Sequence, residues 1–299
     1  MKIVVFGAGS LGSLVGGVLA GEHDVTLVSR ATHVEAVRTD GLRLEGELTE
    51  HVHPAVTVDG RGLEADLAVV TVKSFDTDEA ARTLATGSIG AALSLQNGMG
   101  NEETLAAALE APVIAGTVTY GAVLRAPGVV ECTGIGEIVL GPHEGGTSAV
   151  ATRVGDAFSS AGLETTVASD LSRRLWEKLA VNAGINAVTA LARAENRAVL
   201  EGETNRLARA AARETARVAR AHGVGLSNRE ALAAMESVAV ATADNTSSML
   251  QDVRAGRRTE VDAINGYVVD RAAERGLEVP TNRTLSALVR TWERENGLR

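Results

Sequence analysis

The stretch that most constrains this chain lies at its start. Lys2–Phe6 is a short, β-branched run, followed at once by Gly7-Ala8-Gly9-Ser10-Leu11-Gly12 and an apolar helical pattern through Leu14, Val15, Val18 and Leu19. A GxGxxG set between a strand and a helix has a defined physical reading. Gly7 makes the tight turn, Gly9 lets a pyrophosphate approach the backbone, and Gly12 lets helix and strand pack closely. The helix N-terminus adds unpaired N–H groups and a partial positive charge for phosphates. The competing reading is a glycine-rich turn with no ligand. The strand–turn–helix context favours dinucleotide binding, with Gly7, Ala8, Gly9, Ser10, Leu11 and Gly12 as the cradle.

The next strand, 24–29, ends in Ser29-Arg30. Enzymes that select NAD usually carry an acid there for the ribose 2′-hydroxyl. A guanidinium with no neighbouring carboxylate suits a 2′-phosphate instead, so NADP is the expected cofactor; a surface arginine in a loop is the alternative. Residues 65–72 form a buried strand ending at Lys73, a candidate cofactor or substrate contact or else a solvated lysine. Residues 91–95 form another, followed by Gln96-Asn97-Gly98-Met99-Gly100-Asn101. Asn97 stands at that strand end, where cofactor and substrate are expected to meet, with a plain Asn-Gly turn as the competing explanation.

Residues 42–60 read as short strands and loops of no clear order. Val113–Val118 is a further strand, and Val129-Val130 and Ile138-Val139-Leu140 read as antiparallel additions at the sheet edge. A helix over 148–161 and a strand over 163–167 close the alternation, and beyond Asp170 the pattern is helical almost throughout. Alternating β and α followed by α alone predicts an α/β chain: an N-terminal Rossmann-type doubly wound sheet over 1–167, then an all-α domain over 168–299.

In the second half, residues 176–191 (WEKLAVNAGINAVTAL) carry Lys178, Asn182 and Asn186 at steps of four, on one face of a helix. Leu175, Leu179, Val181, Ile185 and Val188 fill much of the remaining surface. Burying an ammonium and two carboxamides is costly unless each finds a partner. The stripe therefore lines a pocket for a small polar ligand, or it faces solvent. A second polar cluster runs from Ser247 to Glu260. Gly256 is expected to end one helix, and Thr259 to cap another running to about Arg275, with Thr259-x-x-Asp262 resembling a capping box. Glu260 in that first turn either complements the helix dipole or meets a ligand.

Composition narrows the classes. A net charge of −9, from 29 basic and 38 acidic residues, argues against nucleic acid as the main partner. One cysteine excludes an internal disulfide, and six scattered histidines show no ligand spacing, so no metal is expected. No apolar run reaches membrane-span length, and the N-terminus lacks signal-peptide features, which points to a cytoplasmic protein without a membrane partner.

Taken together, GAGSLG at 7–12, Arg30, VVTVKS at 69–74, QNGMGN at 96–101, WEKLAVNAGINAVTAL at 176–191 and SSMLQDVRAGRRTEVDAINGYVV at 247–269 make the chain resemble the ketopantoate reductases (2-dehydropantoate 2-reductases). The resemblance spans nearly the whole chain. It implies a Rossmann domain, a helical domain with a cleft between them, and NADPH-dependent reduction of ketopantoate to pantoate, on the way to pantothenate and coenzyme A. Carried over by position, Lys178 is the catalytic lysine and Glu260 the substrate-binding glutamate at the reaction centre. Asn97, Asn182, Asn186, Asn196 and Ser248 fall at substrate contacts, and Arg30 and Lys73 at cofactor contacts. Segments 42–60 and 119–147 carry no matching motif. Reduction of another branched 2-keto acid, and a non-catalytic NADP(H)-sensing module, are the rival readings. The Ala/Arg-rich helix after Asn205 is compatible with a homodimer face or a solvated one.

Overall fold

The computed structural model describes residues 1–143 and 145–299. They divide into two compact units: Met1–Gln96 with Asn101–Leu171, and Asn97–Gly100 with Ser172–Arg299.

The first unit is built on an eight-stranded sheet ordered Thr165–Val167, Ile138–Pro142, Val113–Val118, Ala92–Ser94, Leu67–Val70, Lys2–Phe6, Asp24–Val28, Ala55–Thr57. The six strands from Val113–Val118 to Ala55–Thr57 are parallel, in the 3-2-1-4-5-6 order of a doubly wound nucleotide fold. Ile138–Pro142 pairs antiparallel to Val113–Val118, and Thr165–Val167 runs parallel to Ile138–Pro142 at the edge. Ile3, Val5, Leu67 and Val69 bury in one core and Val4, Ala68 and Val70 in another on the opposite face, as expected for strands covered on both faces.

One expectation for the sheets needs correction. Val129–Gly134 does not extend the main sheet. It pairs with Gly121–Ala126 and with Leu42–Gly46 in a separate four-stranded sheet that ends in Glu50–Val52. Alternation explains the placement: Leu42, Leu44, Val130 and Cys132 all bury in the same core as the helix Ser10–Leu19. Gly17 lets that helix close on the small sheet, since a Cβ there would stand 2.8 Å from Leu44. The region 42–60 therefore holds three strands, the last of which, Ala55–Thr57, is the outer edge of the main sheet.

The second unit is helical. Its axis is the 22-residue helix Leu171–Ala192, which buries Leu175, Leu179, Val181, Ile185 and Val188. Gly184 permits a close helix crossing, because a Cβ there would lie 2.6 Å from Met235 and 3.0 Å from the Ala208 carbonyl. The helix Asn228–Ala241 begins with a complete capping box between Ser227 and Glu230. Around Thr259 the structure departs from the sequence reading. Arg257–Glu260 is irregular, and a π-helical turn, Asp262–Gly266, precedes the helix Tyr267–Ala273. The Gly266 N–H donates to Val261 O, five residues back, at 2.8 Å. No capping box forms, because Asp262 is claimed by Arg290 and Arg299, while the Thr259 hydroxyl accepts from the Val261 N–H at 3.3 Å. Among the described residues no helix is long and apolar enough to cross a membrane.

Candidate active site

In the first unit the carboxyl ends of the parallel strands carry the nucleotide-binding features. Gly7 has φ +102°, and a Cβ on it would lie 2.6 Å from the Val72 backbone. A Cβ on Gly12 would meet the Thr71 hydroxyl at 2.4 Å and the Gly7 carbonyl at 2.6 Å. Gly9 is different: its nearest such neighbour is 3.9 Å away, so this face of the loop is open to a ligand. A pyrophosphate fits that arrangement, with two glycines crowded by protein and one facing outward. The loop is anchored from below. Gly7 and Ala8 N–H donate to Val28 O at 3.1 and 2.9 Å, and the Ser29 hydroxyl donates to Ala8 O at 2.8 Å. The Ser10 hydroxyl accepts from the Leu124 N–H at 3.0 Å, and Leu11 packs partly buried on the core. Arg30 stands exposed as the residue before the helix Ala31–Asp40, with no carboxylate at that strand end, and the half-buried Lys73 follows Leu67–Val70 just before the turn Ser74–Asp76.

The second unit carries the polar stripe of Lys178, Asn182 and Asn186 together with Glu260. Lys178 is half-buried on Leu171–Ala192, Asn182 is half-buried and Asn186 is 6% exposed, so the stripe is not an ordinary solvent face. Burial pushes the Lys178 ammonium down to about 8, and the charge of Glu260 partly restores it. Glu260 itself is 6% exposed. The two residues are 82 positions apart and electrostatically coupled. Loop Asn97–Gly100 belongs to this unit: the Met99 N–H donates to Ala263 O at 3.0 Å, and Gly98, at φ +80°, leaves no room for a side chain against Ala263. Gly98 and Met99, which follow Asn97, are therefore held against Ala263, three residues past Glu260.

Other residues are placed less simply. Asn196 is buried, its amide donating to the Thr242 hydroxyl at 2.9 Å. Ser248 is exposed at the start of Ser248–Arg254, whereas its neighbour Ser247 is buried, caps that helix and bonds the Thr189 hydroxyl at 2.8 Å. Glu102, Glu103 and His143 bring potential ligand atoms within 4.8 Å of one another in the first unit, a grouping that histidine spacing had no means to reveal.

Comparison with known proteins bears on the whole chain. Residues 3–145 match the family profile "Ketopantoate reductase PanE/ApbA", and 170–293 match its C-terminal counterpart. A 2-dehydropantoate 2-reductase of Halobacterium salinarum is 47% identical, covering 99% of this chain and 100% of the relative. The chain belongs to the ketopantoate reductase family. A PanE/ApbA family ketopantoate reductase from Ralstonia eutropha JMP134 has 35% identity and a TM-score of 0.91, over 99% of this chain and 100% of that one. D-mandelate dehydrogenase in a ternary structure with NADH and anilino(oxo)acetate superposes with a TM-score of 0.92 over 100% of both chains, but at 23% identity, a likeness of fold. As a ketopantoate reductase family member the chain is a dinucleotide-dependent oxidoreductase.

Two buried asparagines of the second unit are not singled out by the sequence, although one of them, Asn265, lies within the 247–269 motif. Buried Asn265 donates to the Ala183 carbonyl at 3.1 Å and to Asn282 at 2.9 Å, tying the π turn to the helix that bears Lys178. Asn282 in turn donates to Ala211 O and to Glu214. Their signal is three-dimensional, since each partner lies at least 17 residues away.

Proposed function

We propose that the chain reduces 2-dehydropantoate to pantoate with NADPH, the step that feeds pantothenate and coenzyme A. The observation that carries this reading is the half-buried Lys178, on a helix face with Asn182 and Asn186 and within electrostatic reach of the buried Glu260, in the unit that also holds Asn97. The naming of relatives as 2-dehydropantoate 2-reductases supports the substrate, and the absence of an acid after strand Asp24–Val28 supports the cofactor choice.

In this reading the functional division is 1–167 for the cofactor and 168–299 for substrate and catalysis. Gly7, Ala8, Gly9, Ser10, Leu11 and Gly12 hold the pyrophosphate, Arg30 the 2′-phosphate, and Lys73 and Asn97 the rest of the cofactor. When bound, the nicotinamide supplies the hydride. Lys178 bonds the keto oxygen, stabilises its developing negative charge and delivers the proton from Nζ. A lowered pKa eases that transfer. Glu260 accepts from the substrate hydroxyl. Asn97, Asn182, Asn186, Asn196 and Ser248 hold the carboxylate and orient the ketone. The enzyme works in the cytoplasm on a small 2-keto acid, and a homodimer is compatible with its helical half.

The test is to follow nicotinamide absorbance with ketopantoate, running NADPH and NADH side by side. Fast oxidation of NADPH and weak oxidation of NADH is the expected result. Equal rates would remove the 2′-phosphate assignment. No oxidation despite NADPH binding would shift the substrate to another branched 2-keto acid.

A further inference from the structure

Glu260 lies in a segment, Arg257–Glu260, that is neither helix nor strand, with the Glu260 carbonyl accepting from the Ala263 N–H at 3.1 Å. Side-chain bonds made by its neighbours add to that backbone contact. Thr259, 1% exposed, donates to one oxygen of Glu293 twice, through its N–H at 2.7 Å and its hydroxyl at 2.6 Å. Glu293 is fully buried on the helix Pro280–Glu295, and its other oxygen accepts from Arg299. On the far side of Glu260, Asp262 accepts from Arg290 Nε at 2.7 Å and from the same Arg299. Burial would push the Asp262 carboxyl up, but Arg290 and Arg299 hold it below the usual carboxylate range. The residues before and after Glu260 are thus pinned by charge-assisted bonds, the stronger class, to one helix and one shared arginine. A fully buried carboxylate costs several kcal/mol unless paired. Glu293 spends its two oxygens on the residue next to Glu260 and on the arginine that also holds Asp262.

We propose that Glu293, with Arg299, is a positioning residue that fixes where the Glu260 carboxylate stands and so sets the enzyme's grip on the hydroxyl end of its substrate. This rests on Glu260 accepting from that hydroxyl. Pre-setting an acceptor to within a fraction of an ångström is the kind of control that affects substrate affinity before it affects chemistry.

The experiment compares Glu293→Gln, Glu260→Ala and the double variant in steady-state kinetics. Each is run with ketopantoate and with trimethylpyruvate, which is ketopantoate without its hydroxyl. Glu293→Gln is expected to raise KM for ketopantoate about tenfold, to leave KM for NADPH unchanged, and to leave kcat/KM for trimethylpyruvate within about twofold. Glu260→Ala should discriminate in the same way, and the double variant should be no worse than Glu260→Ala alone, because both changes act on one contact. Equal losses on both keto acids for Glu293→Gln, or additive losses in the double variant, would overturn the clamp while leaving Glu260 in place. If Glu260→Ala itself treats the two keto acids alike, the hydroxyl assignment fails and the clamp fails with it. Should Glu293→Gln not fold, Thr259→Val carries the same comparison, and Arg299→Lys should retain most of the ketopantoate preference.

Discussion

The glycine loop of the first unit and the Lys178–Glu260 pair of the second solve the problem of ligand contact in opposite ways. The loop works with backbone. Its specificity lies in what is missing from Gly7, Gly9 and Gly12, and all its parts lie within six consecutive residues. The proposed acid–base site works with side chains carried by segments far apart in sequence, braced by buried polar bonds of Asn265 with Asn282 and of Glu293 with Thr259. Backbone sites of the first kind fail by steric intrusion, side-chain sites of the second kind by loss of charge or position.

The sharpest test of that contrast is Lys178→Ala. Loss of the proton donor should cut kcat by about a thousandfold. A cofactor titration should meanwhile give an unchanged NADPH affinity. Retained turnover would take Lys178 out of the general-acid role. Arg30→Ala should do the reverse, lowering kcat/KM for NADPH about thirtyfold through loss of a charged hydrogen bond while leaving NADH kinetics as they were. Gly12→Ala puts a methyl 2.6 Å from the Gly7 carbonyl. It should cost about 2 kcal/mol of stability, seen as a lower Tm, together with weakened cofactor binding.

The pH profile probes the electrostatic half. In the proposed reaction Lys178 acts as the protonated donor, so kcat/KM for the keto acid should be full below its pKa and fall above about pH 8. Because Glu260 raises that pKa, Glu260→Gln should move the falling limb to lower pH. A limb that stays put would mean the two groups are not coupled in solution. The smallest effect belongs to a residue of neither site: Ser227→Ala removes a capping box and should cost about 1 kcal/mol with kinetics unchanged.

The same contrast explains what was legible in the sequence. The loop, the strand ends at Arg30 and Lys73 and the alternation of the first half are local patterns, and five of the six parallel strands lie where short apolar runs placed them; the sixth, Ala55–Thr57, fell in the 42–60 stretch that showed no clear order. The partner of Val129–Gly134 was not legible, because alternation marks a strand and its buried face but not the strand it pairs with. The stripe of Lys178, Asn182 and Asn186 could be read because a helix repeats locally. Glu260 was harder. A π turn breaks the 3.6-residue period, and what replaces the missing capping box is Glu293, 34 residues further on. Ser247 and Ser248 show the limit at one residue: nothing in an SS dipeptide says which hydroxyl turns inward.

Loop Asn97–Gly100 has a consequence for anyone who would take the protein apart. The chain passes between its two compact units at Gln96, at Asn101 and again at Leu171, so no single cut separates them. A fragment ending near residue 167 would carry away the loop and expose Met99, which is 7% accessible in the intact chain. The complementary helical fragment would keep Lys178 and Glu260 yet lose the donor to the Ala263 carbonyl and the cover over Tyr267, against which Gly100 packs. Reassembly of such halves, or a circular permutant opened between 97 and 100, should therefore be far less forgiving than one opened at an ordinary surface turn.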